Sequence, residues 1–136
     1  MFHGRPYSHI LERLRGAGLR PTRQRLALAK ILFENGDRHI SAEQLHTEAL
    51  HAGIRVSLAT VYNALHQFTT AGLLREIVVD SGRSYFDTNI SVHHHFFHER
   101  SGYLEDIPGE IMIGNLPEAP AGTAITRVDV IVRVAA

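Results

Sequence analysis

Near Leu73 the apolar residues change their spacing, and that change limits the folds open to this chain. Before it, Val61, Leu65 and Phe68 recur at i, i+4 and i+7, a helical stripe. After it, "LLREIVV" and "SYFDT" alternate on either side of Gly82, the pattern of a β-hairpin with a glycine turn. A chain that passes from helices to strands in this way, without alternating the two, belongs to the α+β class.

Three helices are legible before the switch. "GLRPTRQRLALAKILFENG" has Thr22 as N-cap and Gly36 as stop, with Leu26, Ala29 and Ile31 to Phe33 on its apolar side. "SAEQLHTEALHAG" opens on a Ser41/Gln44 capping box and ends at Gly53, with Leu45, Ala49 and Leu50 as its expected buried stripe. "SLATVYNALHQFTTAG" starts at Ser57 and stops at Gly72, and carries Thr60, Tyr62, Asn63, His66 and Gln67 on its polar side. Three helices and a hairpin, with "HAGIRV" as the link between the second and third, have the layout of a winged helix-turn-helix. The third helix is then the one whose polar side faces a major groove.

The rest reads differently. "VHHHFFHE" and "GYLEDI" are strand-like, and Pro108 ends the second of them. "GEIMIGNLPEAPAG" is rich in glycine and proline and allows at most a short helix and a loop. "TAITRVDVIVRVAA" alternates, with Val128, Val130, Val132 and Val134 on one face and Arg127, Asp129, Ile131 and Arg133 on the other. Three strands bury little by themselves, so pairing with a second copy is expected. The boundary falls near Thr88 to Val92, giving a DNA-binding domain over 1–88 and a small α/β dimerisation and sensing domain over 89–136.

Composition narrows the chemistry. There is no cysteine, which excludes disulfides and thiolate metal sites. The formal charge is zero, yet 11 Lys/Arg stand against 7 Asp/Glu through Arg83, and 3 against 7 beyond it. A basic half beside an acidic half points to an anion-binding module joined to something else. No apolar run is long enough to span a bilayer, and the start "MFHGRPYSHILERLRGAG" lacks a signal-peptide core, so a cytoplasmic location is expected. His3 and His9 are expected to be solvated; His46, His51 and His66 are expected on the surface or on helix faces. The internal run His93, His94, His95 with His98 is a ligand candidate. In a strand His93 and His95 share a face and His94 points away.

The segments "GLRPTRQRLALAKIL", "DRHISAEQL", "SLATVYNALHQFTTAGLL" and "SYFDT…HHHFF", in this order, resemble the ferric uptake regulator superfamily over nearly the whole chain. "VYN" in place of the more usual "VYR", the "HHHFF" run and the lack of cysteine make it most similar to the iron response regulator branch. The resemblance implies a homodimeric transcription factor, not an enzyme. It would read an AT-rich palindrome near iron and haem genes and be controlled by haem or a divalent metal. It implies a hinge metal site of His39, Asp87, His93, His95 and Asp106, with Glu105 beside the last. Nitrogen and oxygen ligands suit Fe2+, Mn2+ or Zn2+. Metal ligands drawn from both domains would set the spacing of two recognition helices, which must fit roughly 34 Å of DNA.

Haem is the alternative occupant of the same segment, with His93, His94, His95 or His98 as axial ligand and Phe96 and Phe97 as an apolar wall. A peroxide sensor built on bound Fe2+ is a further alternative within the superfamily. Two departures matter. The usual Cys-x-x-Cys that holds a structural zinc is replaced by His98 and Ser101, so that zinc is not expected. The Cys-Pro haem motif of some iron response regulators is missing, so any haem must use histidine. The resemblance places Tyr62 on thymine, and Asn63, which stands where arginine is usual, suits adenine. Ser57, Thr60 and Gln67 are further base-side candidates. Arg20, Thr22, Arg23 and Arg25, together with Arg83 at the wing tip, are phosphate or minor-groove candidates.

Overall fold

The computed structural model describes residues 8–80 and 82–136. The expectation for His3 lies outside them. The described chain contains helices α1 (Ser8–Gly16), α2 (Arg23–Phe33), α3 (Ala42–His51) and α4 (Leu58–Thr70). Its strands are β1 (His39–Ile40), β2 (Arg75–Asp80), β3 (Arg83–Asp87), β4 (His95–His98), β5 (Tyr103–Asp106) and β6 (Ile131–Val134). This is the expected α+β class. Two compact units divide it, Met1–Ile90 and Ser91–Ala136.

In the first unit the helices start where their hydroxyls permit. Thr22 accepts from the Arg25 backbone N–H at 3.2 Å, and Ser57 from that of Thr60 at 3.1 Å. The Ser41 box is complete: Ser41 Oγ accepts from Gln44 N at 3.1 Å, and Gln44 Oε1 accepts from Ser41 N at 2.9 Å. Each such bond satisfies an N–H that the helix itself leaves unpaired. A Ser41→Ala variant is expected to lose about 1 kcal/mol of stability, read as a lower urea midpoint at unchanged slope.

The switch of spacing near Leu73 is made by a Schellman turn. Leu73 N–H reaches Phe68 O at 2.9 Å, and Gly72 N–H reaches Thr69 O at 3.0 Å. Gly72 takes φ 83°, a conformation that a side chain would strain. The chain then enters β2, which pairs antiparallel with β3, and β1 joins the other edge of β3, giving the order β1-β3-β2. Gly82 turns the hairpin at φ 82°.

The core of this unit is Leu28, Ala29, Leu32, Leu45, Ala49, Val61, Leu65, Phe68 and Phe86, with Phe33 packed 6.4 Å from Phe68 between ring centroids. Helix α1, which the sequence reading did not include, adds fully buried Ile10 and Leu14 and sets the Arg13 guanidinium 4.2 Å from the Phe33 ring centroid. One member of the expected stripe is misplaced. Leu50 is 51% exposed, because the next contact is made by Ile54, whose N–H bonds to Ala49 O at 2.9 Å as the chain turns away.

The second unit is a three-stranded sheet of order β5-β4-β6. β4 pairs antiparallel with β5 and parallel with β6. The strand at the histidines is shorter than its sequence suggests. His93 and His94 precede the ladder, which begins when His95 N–H bonds to Val130 O at 3.2 Å. No helix interrupts 107–130 among the described residues. The valine alternation gives only the short β6, with Val128, Val130 and Val134 half-buried and Val132 exposed. Phe97 and Leu104 are the fully buried apolar residues described in this unit. Tyr103, Met112, Ile113, Leu116, Ile125 and Val132 are exposed.

Candidate metal centre and nucleic-acid interface

The histidine segment is ordered by its own backbone. His93 Nδ1 lies 2.7 Å from Ser91 O. A carbonyl only accepts, so Nδ1 carries the hydrogen, and in the neutral ring Nε2 then presents a lone pair. That Nε2 is 3.3 Å from Asp106 Oδ1, and His95 Nε2 is 3.2 Å from the same oxygen. The two rings stand 4.6 Å apart. His95 is buried and is the register partner of Asp106 across β4 and β5. A lone pair facing a carboxylate oxygen is repulsive, and either a proton on the imidazole or a metal ion between them relieves it. Two imidazole nitrogens and a carboxylate converging in this way therefore fit a divalent ion of intermediate hardness. The Ser91 carbonyl supplies the outer support that orients a ligating histidine.

The first unit presents a second histidine and carboxylate. His39 and Asp87 are register partners on β1 and β3, so their side chains leave the sheet on the same face. Asp87 is buried and accepts from Asn89 N–H at 2.8 Å. Thr88 and Arg38 fasten this end of the sheet by reciprocal bonds, Thr88 N–H to Arg38 O at 3.0 Å and Arg38 N–H to Thr88 Oγ1 at 2.8 Å.

The other histidines are differently engaged. His94 Nδ1 accepts from the Val130 backbone N–H at 3.1 Å. Its hydrogen therefore sits on Nε2, the nitrogen that an axial ligand would have to offer. His98 Nε2 lies 2.7 Å from Glu105 Oε1, and its ring is 5.4 Å from Tyr103. The candidate wall is split: Phe97 is buried and Phe96 half-buried. His46 is half-buried with Nε2 3.0 Å from Val56 O, a helix-to-loop clasp that the sequence did not reveal. His9, His51 and His66 are exposed.

The DNA-side candidates fall into two places. Arg20, Thr22, Arg25, Thr60, Asn63 and Gln67 line one groove of about 390 Å3 between the start of α2 and the polar side of α4. Within it Arg25 is a brace: Nε and Nη2 donate to Gln67 Oε1 at 3.2 and 2.8 Å, and Nη1 donates to Arg20 O at 2.8 Å. Ser57 Oγ and Thr60 Oγ1 are 2.9 Å apart, so these hydroxyls serve the helix start. Asn63 and Arg23 are exposed. Tyr62 and Arg83 line a second groove of about 460 Å3 between α4 and the hairpin. Arg83 is paired with Asp80 at 2.5 Å. The Tyr62 hydroxyl donates to Glu43 Oε2 at 3.0 Å, and its ring stacks on His66. That hydrogen bond, then burial, then the Glu43 charge, raise the Tyr62 pKa above its ordinary value, so the phenol keeps its hydrogen. Glu43 was not among the residues singled out from sequence; an acid in the first turn of a helix reads as a favourable partner for the helix dipole.

No described helix is long and apolar enough to cross a membrane. The family model "Ferric uptake regulator family" matches residues 16–132. The ferric uptake regulation protein of Legionella pneumophila is 35% identical over 102 residues, covering 74% of this chain and 75% of that protein. That of Shigella flexneri is 39% identical over 81 residues, covering 60% of this chain and 55% of the relative, so the matched region spans about half of it. Among solved structures, the ferric uptake regulator from Pseudomonas aeruginosa with manganese superposes with a TM-score of 0.67 at 26% identity, covering 92% of this chain and 96% of that one. The Vibrio cholerae ferric uptake regulator gives 0.73 at 23% identity, covering 93% and 99%. By sequence over most of its length, and by fold, this chain belongs to the ferric uptake regulator family, whose members are transcription regulators and not enzymes.

Proposed function

We propose that the chain is a homodimeric, cytoplasmic regulator of iron homeostasis whose affinity for an AT-rich palindromic operator is set by a divalent metal. The observation that carries this reading is the convergence of His93 and His95 on Asp106, with the His93 ring turned so that its Nε2 lone pair faces the ligand position. In this reading His93, His95 and Asp106 hold the ion, and His39 and Asp87 are the ligands contributed by the first unit. An ion held there would supply positive charge between the imidazole nitrogens and the carboxylates. The Pseudomonas relative, solved with manganese, supports Mn2+ as a probe.

The first unit serves as a winged helix-turn-helix over 1–88, with α4 in the major groove and β2–β3 as the wing. Asn63 reads a base edge; Arg20 and Arg23 take phosphate, and Thr22 brings the start of α2 to it. Arg25 holds Gln67 in place. The second unit, 89–136, dimerises. Its support is the poor core of Phe97 and Leu104 beside many exposed apolar side chains, which a second copy would cover.

Haem at His94 fits less well. Ligation would put an N–H of the ring against the Val130 N–H that now donates to it. The test is a titration of the full chain with Mn2+ and, separately, with haem, followed by operator binding in a fluorescence anisotropy assay. Mn2+ is expected to tighten binding at least about tenfold, a coupling within the usual range for linked sites. A saturable haem spectrum that tracks DNA release, with no Mn2+ effect, would replace the metal by haem. In the same assay Tyr62→Ala is expected to weaken the specific site by about 1–3 kcal/mol while the chain stays dimeric on sizing.

A further inference from the structure

Glu43 is an acid in the groove wall beside the recognition helix, and its partner there is Tyr62, a candidate base reader. It lies in the first turn of α3, whose start is pinned by the Ser41/Gln44 box, so its position is set by backbone as well as side chain. The carboxylate holds the Tyr62 hydroxyl by its hydrogen. A hydroxyl has one hydrogen. With that hydrogen spent on Glu43, what the tyrosine oxygen has left for a partner in the groove is its lone pairs. The carboxylate itself only accepts. We propose that Glu43 is a positioning and specificity residue that makes Tyr62 an acceptor-only reader, selecting a base that bears an exocyclic amine in the major groove.

The major groove presents such amines on adenine N6 and cytosine N4, whereas guanine N7 and O6 and thymine O4 are acceptors. Facing the Tyr62–Glu43 pair, an acceptor edge meets oxygen lone pairs and an amine edge meets its complement. The ring of Tyr62 remains available to the thymine methyl of a neighbouring pair, so the two modes of contact do not compete. His66, stacked on the ring from the next turn of α4, limits its rotation. The raised phenol pKa agrees with a hydrogen held firmly by the carboxylate. The inference rests on the DNA-binding reading given above and assigns the polarity of one contact within it. It also implies a cost: a carboxylate in the groove opposes the phosphate backbone and lowers affinity for every sequence alike, which is the mark of a residue kept for discrimination.

The test selects the operator from a randomised duplex library with the full chain and Mn2+. Single amines of that operator are then deleted, adenine to purine and cytosine to 2-pyrimidinone. For the wild type one amine position in each half-site is expected to cost about three- to tenfold in affinity, the size of one hydrogen bond, and whether it is a purine or a pyrimidine names the base. Glu43→Ala is expected to bind all duplexes more tightly and to lose that discrimination, tolerating guanine or thymine at the position. In the Tyr62→Phe background the Glu43→Ala change is expected to alter overall affinity and leave base preference as it was. If no duplex is enriched by the wild type, the DNA-binding reading falls and this inference with it. If an operator is enriched and Glu43→Ala selects the same bases with the same amine penalties, the DNA-binding reading stands and the role of Glu43 is overturned.

Discussion

An His95→Ala variant is expected to lose the metal response altogether: Mn2+ should no longer tighten operator binding at any concentration that leaves the wild type saturated. The effect is large because of where His95 stands. It is buried in β4, its register partner is Asp106, and its Nε2 is 3.2 Å from that carboxylate. Removing a supporting hydrogen bond around a metal ligand costs roughly 10–100-fold in affinity, and removing the ligand itself should exceed that. Asp106→Asn keeps the shape and removes the charge; it is expected to weaken Mn2+ binding by at least about tenfold, read by calorimetry. His94→Ala serves as the neighbouring control. Its ring bonds to Val130 N–H and not to Asp106, so Mn2+ affinity should stay within about twofold of wild type, while some stability is lost with that hydrogen bond. Equal losses in the His94 and His95 variants would break the assignment of ligands. His39→Ala asks separately whether the first unit contributes.

The second large effect concerns stability. Phe68→Ala is expected to cost about 3–5 kcal/mol, against a total of about 5–15 kcal/mol for an ordinary domain. Phe68 is fully buried on α4, on the side opposite Asn63, and packs on Phe33 of α2. Truncation leaves a hole between the two helices that carry the candidate base and phosphate contacts. Thermal unfolding followed by far-UV circular dichroism should show a lowered transition for the helical unit, and operator binding should fall with it at temperatures near that transition. Phe68→Leu refills most of the volume and is expected to lose under about 2 kcal/mol. A Phe68→Ala protein as stable as wild type would mean that α2 and α4 close over the gap.

The helical part of this fold was open to reading because each helix carries its own punctuation. Thr22, Ser41 and Ser57 cap, Gly72 turns, and the i, i+4, i+7 stripe of Val61, Leu65 and Phe68 is the buried one. Helix α1 escaped notice although Ile10 and Leu14 stand at helical spacing, since two positions in nine residues make a weak period. The second unit was harder for a physical reason. Its strands run only four residues each, and such short runs owe their extent to pairing partners that are distant in sequence. The pairing of β4 with β6 in parallel, and the start of the ladder at His95 and not His93, are tertiary facts.

The candidate site divides along the same line. Residue types and the family resemblance nominate His93, His95 and Asp106. The hydrogen positions that separate His93 from His94 depend on Ser91 O and Val130 N–H, and no spacing rule contains them. Glu43 was invisible for a similar reason: it meets Tyr62 only because α3 and α4 cross.

The parallel pairing of β4 with β6 bears on how the protein is made. The first unit holds contacts as far apart in sequence as His39 with Asp87, but every residue it needs lies before Ser91. β4 is different: one of its two edges stays bare until the residues from Val130 to Val134 have left the ribosome, well after His93 to His98 have done so. A nascent chain thus completes the unit before Ser91 first and the histidine strand later. During that interval the unpaired edge beside the histidines is open to mispairing with another nascent copy. Charges follow it at Glu99 and Arg100, where they discourage such pairing until β6 arrives.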